Sequence, residues 1–246
     1  VYIHNIGKLG YDSFQRLNPE FSFEYTDEDD RPVHEPDKQF PVIFRLRKMG
    51  DATFCLNEEN FRLTITTNSR NYRVGYDFIQ RVVIRNFNDM KLNSTPLVCD
   101  IQARGVYDTN SSSWAMIISS GSTNGGVIAT DQLLYEAPEA GYQAEYKIVP
   151  EDRRPAKDKY IYLKSRDPAI YSRITVRSFN NSPEFIRMNT EEAVTNPYGD
   201  RNFEIHSELS WEMITHLTAE VENAFRAGKR PVKPDIKAMI EAARGD

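Results

Sequence analysis

The residues of this sequence that could do chemistry are four histidines, two cysteines and 36 acids set against 31 bases, and their spacing favours no reaction. His4, His34, His206 and His216 are scattered, without an H-E-x-x-H run or any close Cys/His spacing, so no zinc ligand set is expected. His206 reads as a strand-end residue and His216 as a helix-surface one. A serine hydrolase presents its nucleophile on a tight turn, and no G-x-S-x-G occurs. Asp27, Asp29 and Asp30 offer the hard oxygens that calcium takes, but the alternation, glycine and distal glutamate of an EF-hand loop are missing. A solvated acidic loop is the simpler reading. The run Gly121-Ser122-Thr123-Asn124-Gly125-Gly126 lacks the Lys-Ser/Thr of a P-loop and opens no clear helix, which makes it a hairpin or bulge loop rather than a phosphate cradle. A glycosidase pair of carboxylates is defined by its separation in space and leaves little local trace. The expectation is therefore no catalytic residue, no cofactor and no metal.

Two residue sets carry weaker signals. Tyr135, Tyr142, Tyr146, Tyr160, Tyr162 and Tyr171 could form a sugar-stacking platform on a β face, against the plainer reading that most are packing residues. Tyr135, Tyr142, Tyr160 and Tyr162 are the candidate ligand contacts. Cys55 and Cys99, the only cysteines, form either one disulfide or two inert buried thiols.

The elements that must position these residues are mainly strands. Thirteen Tyr, thirteen Phe and thirteen Pro, with many Val, Ile and Thr, favour pleated strands joined by marked turns. Strand-like runs fall at 21–25, 42–47, 61–66, 78–87, 97–103 and 114–119, and then at 127–129, 132–135, 146–149, 160–164, 173–179 and 203–206. Such regular spacing predicts an antiparallel sandwich or barrel. The imperfect alternation of Tyr160-Ile161-Tyr162-Leu163 suits a strand buried on both faces. Residues 81–88 echo residues 173–180, either as tandem modules or as two ordinary amphipathic strands with arginine on the wet face. From Ser207 the period becomes helical, with Met213, Ile214, Leu217, Val221, Ala224 and Phe225 on one stripe and Gly228 and Pro231 as stop. A shorter helix follows from Pro234. Docking of this tail on the sheet is the commoner fate of such a stripe, with contact to a partner chain as the alternative.

With 246 residues the chain can hold one large β domain or two smaller modules. The expected division is a β-rich module over 1–75, a β-sandwich over 76–207 and a helical tail over 208–246. The net charge of −5 gives no electrostatic footprint for nucleic acid, and the longest apolar runs are too short to span a bilayer as a helix. The chain begins at Val1, so a cleaved leader or an upstream domain is expected.

Several stretches together resemble a known family: Phe23-Glu24-Tyr25, the segment from Pro41 to Gly50, Tyr135-Glu136-Ala137-Pro138-Glu139-Ala140-Gly141-Tyr142-Gln143, Tyr162-Leu163-Lys164-Ser165-Arg166 with Tyr171-Ser172-Arg173, and Asn196-Pro197-Tyr198-Gly199-Asp200-Arg201-Asn202-Phe203-Glu204. They are similar to the downstream region of bacterial carboxypeptidase-regulatory-like domain proteins, over about residues 20 to 207. In that family a small prealbumin-like β domain comes first, and it has no counterpart here; the helical tail runs past the usual end. The resemblance implies export and a non-enzymatic role, with no catalytic residue to carry over. It leads to the expectation of an extracytoplasmic binding or scaffolding module, periplasmic, surface-held, lipid-anchored or secreted, that meets envelope polysaccharide or another protein. A glycan-active enzyme with dispersed carboxylates and a purely structural assembly module are the alternatives.

Overall fold

The computed structural model describes strands 11–13 and 46–48 by their backbone, and residues 52–67, 73–85, 87–88, 90–92, 95–109, 113–148, 160–206 and 208–244. The expected strand at 21–25, the acidic loop with Asp27, Asp29 and Asp30, and His4 and His34 lie outside the described residues. Contacts divide the chain into two units, 1–51 and 52–246. In the first, β1 (Tyr11–Ser13) pairs antiparallel with β2 (Leu46–Lys48).

The second unit holds β3 (Leu56–Glu59), β4 (Arg62–Thr66), β5 (Arg73–Asp77), β6 (Val82–Ile84), β7 (Lys91–Leu92), β8 (Thr95–Pro96), β9 (Ile101–Asp108), β10 (Ser113–Ser120), β11 (Gly126–Thr130), β12 (Glu145–Ile148), β13 (Tyr160–Ser165), β14 (Ile170–Asn181) and β15 (Phe185–Asn196), then α1 (Trp211–Arg226) and α2 (Ile236–Arg244). One sheet runs β12-β10-β9-β5-β6 and the other β11-β13-β14-β15-β3, with β4 on the remaining half of β15. The pairings are antiparallel throughout both sheets. Because β3 and β4 both add to β15, residues 56–66 belong to the same body as the rest of the sandwich, and the chain divides at 51/52 rather than near 75.

Side-chain alternation explains how the sheets meet. Val74, Tyr76, Ile101, Ala103, Met116 and Ile118 of the five-stranded sheet interlock with Leu63, Ile65, Ile161, Leu163, Ile174, Ile186 and Met188 of the six-stranded one. The expected β-sandwich is thus the observed fold. The two sheets differ on their outer sides. On the five-stranded sheet Arg104 pairs with Glu145 at 2.9 Å, while Gly75, Asp77 and Ala115 are buried there. The six-stranded sheet is covered there too, by Ala137 and Phe203 lying on Tyr162 and Val194, which is why β13 is buried on both faces as its alternation implied.

The helical tail closes one end. Ser210, three residues beyond the expected start, caps α1 by accepting from the Met213 amide at 3.3 Å. Leu217 and Val221 of α1 and Ile236 and Ile240 of α2 bury against Phe54, Leu56, Ile79, Ile170 and Tyr198. Ion pairs Arg81–Glu222 (3.1 Å) and Lys233–Asp200 (2.8 Å) flank the contact.

One expected strand is shortened and two are not strands. Residues 78–81 form a turn because the Asp77 carboxylate accepts from the amides of Ile79 and Gln80, which ends β5 and leaves only 82–84 to pair. Residues 132–135 cross over the outer side of the six-stranded sheet, and within 203–206 Ile205 makes an isolated bridge to Thr53 while the Phe203 amide donates to Tyr135 O. The echoing stretches are correspondingly unlike. Residues 81–88 hold a turn and a short edge strand of one sheet, whereas 173–180 sit inside a twelve-residue strand of the other.

The glycine-rich loop links β10 to β11. A Cβ on Gly121 would overlap the Cys99 carbonyl oxygen and approach its carbon to 2.7 Å, so glycine is there to let two backbones touch. Gly121→Ala is expected to cost about 1–3 kcal/mol, as overpacking does. Denaturant unfolding checks this; a cost below the usual surface scatter of about 0.5 kcal/mol would refute it.

Candidate functional site

Two buried arginines organise the polar interior, and they are partnered very differently. Arg166 follows β13 with φ 64°, a left-handed conformation that turns its side chain inward toward the ends of β5 and β9. Its Nε and Nη2 donate to the two Asp100 oxygens at 2.8 and 2.7 Å, and Nη2 also donates to Asp77 Oδ1 at 2.7 Å. The remaining carboxylate lone pairs are taken as well. Asp100 accepts from Ser165 Oγ (2.7 Å) and the Phe78 amide (2.9 Å), and Asp77 accepts from the Val98 amide (2.8 Å) besides its own turn. Phe225 of α1 covers the guanidinium at 5.0 Å.

Burial works against the charge on Arg166, but Asp100 and Asp77 outweigh it and raise its pKa above the ordinary arginine value. Burial, then the charge of Asp100, pushes Asp77 above the usual carboxylate range against the pull of Arg166. These two acids face one another, as a glycosidase pair would, yet water is excluded and every oxygen already accepts from the protein. What the cluster does is join both sheets and the helical tail at one point.

Cys99 lies beside this cluster. The structure holds Cys55 and Cys99 as two separate thiols rather than a disulfide. Cys99 Sγ donates to Ile101 O at 3.1 Å and packs against Gly75, whereas Cys55 sits with Ala137, Tyr162, Val194 and Phe203 and donates to Asn202 O at 3.7 Å. Cys55 lies in the cluster outside the six-stranded sheet and Cys99 against β5 of the other sheet, and that is why they do not meet. Burial, reinforced by Asp100, pushes the Cys99 thiol up to about 12. Both thiols are expected to resist iodoacetamide at pH 8 in the folded protein and to alkylate fully in denaturant. Mass spectrometry reads this, and a species two mass units lighter that fails to alkylate would show a disulfide after all.

Arg173, on the outer side of β14, is 2 % exposed and poorly partnered. Its Nη1 donates to Leu134 O at 3.3 Å, its Nη2 stands 3.6 Å from Glu192, and its Nε meets no acceptor among the described residues. Tyr135 and Phe203 lie 5.8 and 5.6 Å from the guanidinium. All four candidate contact tyrosines belong to this outer layer. Tyr162, next to Arg173 across the β13–β14 pair, is fully buried, with its hydroxyl held by the Leu134 amide and donating to Gln132 O at 3.1 Å. Tyr142 packs 6.5 Å from Tyr171, and its buried hydroxyl also lacks a partner among the described residues. Tyr160 and Tyr171 pack against the same cluster. The candidate tyrosines lie in one layer, but Tyr135 and Tyr162 are interior side chains and present no open platform.

The Asn196–Glu204 stretch is structural. Asn196 Nδ2 donates to Asn202 O at 2.7 Å and to Asp200 Oδ1, its Oδ1 accepts from the Tyr198 amide, and Gly199 takes φ 82° in the turn between them. Arg201 then pairs with Glu136 at 2.7 Å, fastening the crossing segment 131–143 over the sheet. His216 falls on the α1 surface as expected, 3.4 Å from Glu220, whereas His206 ends no strand, because 203–206 is irregular. Among the described residues no group of His, Cys, Asp and Glu could hold a metal ion, and no helix is long and apolar enough to cross a membrane.

Large aromatic surface lies elsewhere. Trp211, in the first turn of α1, is 77 % exposed, and Tyr107, edge-on to Trp114 at 5.5 Å at the end of the sandwich away from the helices, is 50 % exposed. Comparison with known proteins finds no family model, no curated protein and no solved structure that matches the chain.

Proposed function

We propose that this chain is a non-catalytic binding module of an exported bacterial envelope protein, and that its ligand is an envelope polysaccharide. The observation that supports the reading most is the contrast between a dry, internally committed acid pair and two aromatic rings, Tyr107 and Trp211, left in water. Exposed aromatic faces, one on α1 and one at the far end of the sandwich, are what a sugar ring stacks on, whereas hydrolysis needs an acid and a base open to substrate and water. The resemblance to the regulatory-like domain proteins supplies the exported setting. A role in assembly is disfavoured by the tail, whose apolar stripe is spent on its own sandwich.

A glycan array probed with the intact protein, beside Tyr107→Ala and Trp211→Ala variants, tests the reading. Capture of a glycan that weakens at least fivefold in one variant, with no new reducing ends released, supports it. Release of reducing ends would replace it with the enzyme, and silence toward every glycan together with self-association in light scattering would replace it with the assembly module.

A further inference from the structure

We propose that the Arg173 cluster is a closed binding site for the carboxylate of an acidic sugar, a uronic acid residue, which enters when the crossing segment 131–143 lifts from the six-stranded sheet; this rests on the polysaccharide reading above. The two buried arginines make the case. Arg166 spends its fork on two carboxylates at 2.7 to 2.8 Å, the geometry a guanidinium adopts when its donors are satisfied. Arg173 is as deeply buried, yet its contacts are long at 3.3 and 3.6 Å and its Nε donates to nothing among the described residues. A buried cation with an idle donor is costly to keep, and such a group marks a place where an acceptor belongs. A planar carboxylate meets that need as no neutral group does, because it takes two parallel N–H bonds from one guanidinium.

The surroundings specify what carries the carboxylate. Phe203 lines the guanidinium from the body, with Tyr162 beside it and Tyr171 in the same layer, while Tyr135 and Tyr142 are carried on the segment that closes over them, which gives ring faces for a pyranose. The Tyr142 hydroxyl, on the segment itself, is a second buried polar group without a partner among the described residues, suited to a sugar hydroxyl. The segment is one continuous piece between β11 and β12. It is tied by the Tyr162 hydroxyl at Leu134 and Gln132, by Arg201 at Glu136 and Ala137, by Arg173 at Leu134, by amides to residues 201–203 and Val127, and by the buried Tyr135 and Ala137, while Glu139, Ala140 and Gly141 stand in solvent and Gly141 takes φ 90°.

The test titrates galacturonic acid and its trimer into the intact chain, following the Arg Nε–Hε resonances and the heat of binding, with galacturonate methyl ester, acetate and inorganic phosphate in parallel. The expected result is saturable binding of galacturonate that moves the Arg173 Nε–Hε signal, at least tenfold weaker binding of the ester, acetate and phosphate, and slower amide exchange over 131–143 in the complex. Arg173→Lys, which keeps the charge and loses the fork, is expected to weaken binding at least tenfold. Tyr142→Phe removes only an idle hydroxyl, so it leaves the fold intact and carries the test if the lysine variant does not fold; it is expected to weaken binding at least threefold. An unmoved Arg173 signal, equal binding of acetate or phosphate, or galacturonate binding indifferent to Tyr142→Phe overturns the proposal. Array capture of neutral glycans by a protein that ignores galacturonate sinks this inference alone and leaves the binding module standing, whereas silence toward all glycans sinks both.

Discussion

Arg166→Met is expected to lower the unfolding free energy by about 3–5 kcal/mol, the range seen when one partner of a buried ion cluster is removed and the others are left charged. In a body of this size that lowers the melting temperature by roughly 10 °C. The loss comes from Asp77 and Asp100, which keep their amide and hydroxyl donors but lose the cation that pairs with both. Its pH dependence identifies the cause. Asp77 holds its proton more tightly folded than unfolded, so its contribution is present below the unfolded value of about 4 and disappears as pH climbs through the raised folded value. Without Arg166 the folded value rises further, and the deficit of the variant against the parent should be largest at neutral pH and shrink toward pH 4. Adding Asp77→Asn to Arg166→Met should recover part of the loss at pH 7. A deficit constant from pH 4 to pH 8, or no recovery in the double variant, would show that lost packing under Phe225 is the cause instead.

Leu217→Ala is expected to cost about 2–5 kcal/mol, because Leu217 is the buried centre of the α1 stripe and lies among Phe54, Ile79, Ile170 and Val221. The tail and the sandwich should then melt in a single transition, since Phe225 of the same helix covers the Arg166 cluster and ties the two together. Calorimetry reads both expectations. Two separated transitions, or a cost under about 1 kcal/mol, would mean that the helices rest on the sandwich without stabilising it.

Much of this architecture is legible from side-chain period alone. The strands around 114–119, 127–129, 146–149, 160–164 and 173–179 and both helices announce themselves, because their apolar residues recur at the period their burial demands. β15 does not. Its sequence Phe-Ile-Arg-Met-Asn-Thr-Glu-Glu-Ala-Val-Thr-Asn carries too many polar residues to read as a strand, and it is extended because β14 on one side and β3 and β4 on the other supply its hydrogen bonds. The Arg166 cluster is hidden for a related reason. Asp77 and Arg166 are 89 residues apart in the chain, and only the fold brings them to 2.7 Å. A trace was nonetheless there, in Tyr76-Asp77-Phe78-Ile79 and Cys99-Asp100-Ile101, where an acid interrupts an apolar run and must either be paired or be misplaced. For Arg173 the opposite holds: an arginine in an alternating strand reads as a wet-face residue, and nothing local reveals that another segment roofs it over.

The rim of the six-stranded sheet has a consequence for how the protein behaves in a crowded compartment. Two short strands, β3 and β4, share the flank of β15 and meet at Asn60, whose φ of 56° jogs the backbone between them. At the opposite rim, Val127 exchanges both of its main-chain bonds with Gln143, at 2.8 and 3.0 Å. Among the described residues a stray extended peptide therefore finds no long, straight row of idle amides along either side of this sheet on which to polymerise.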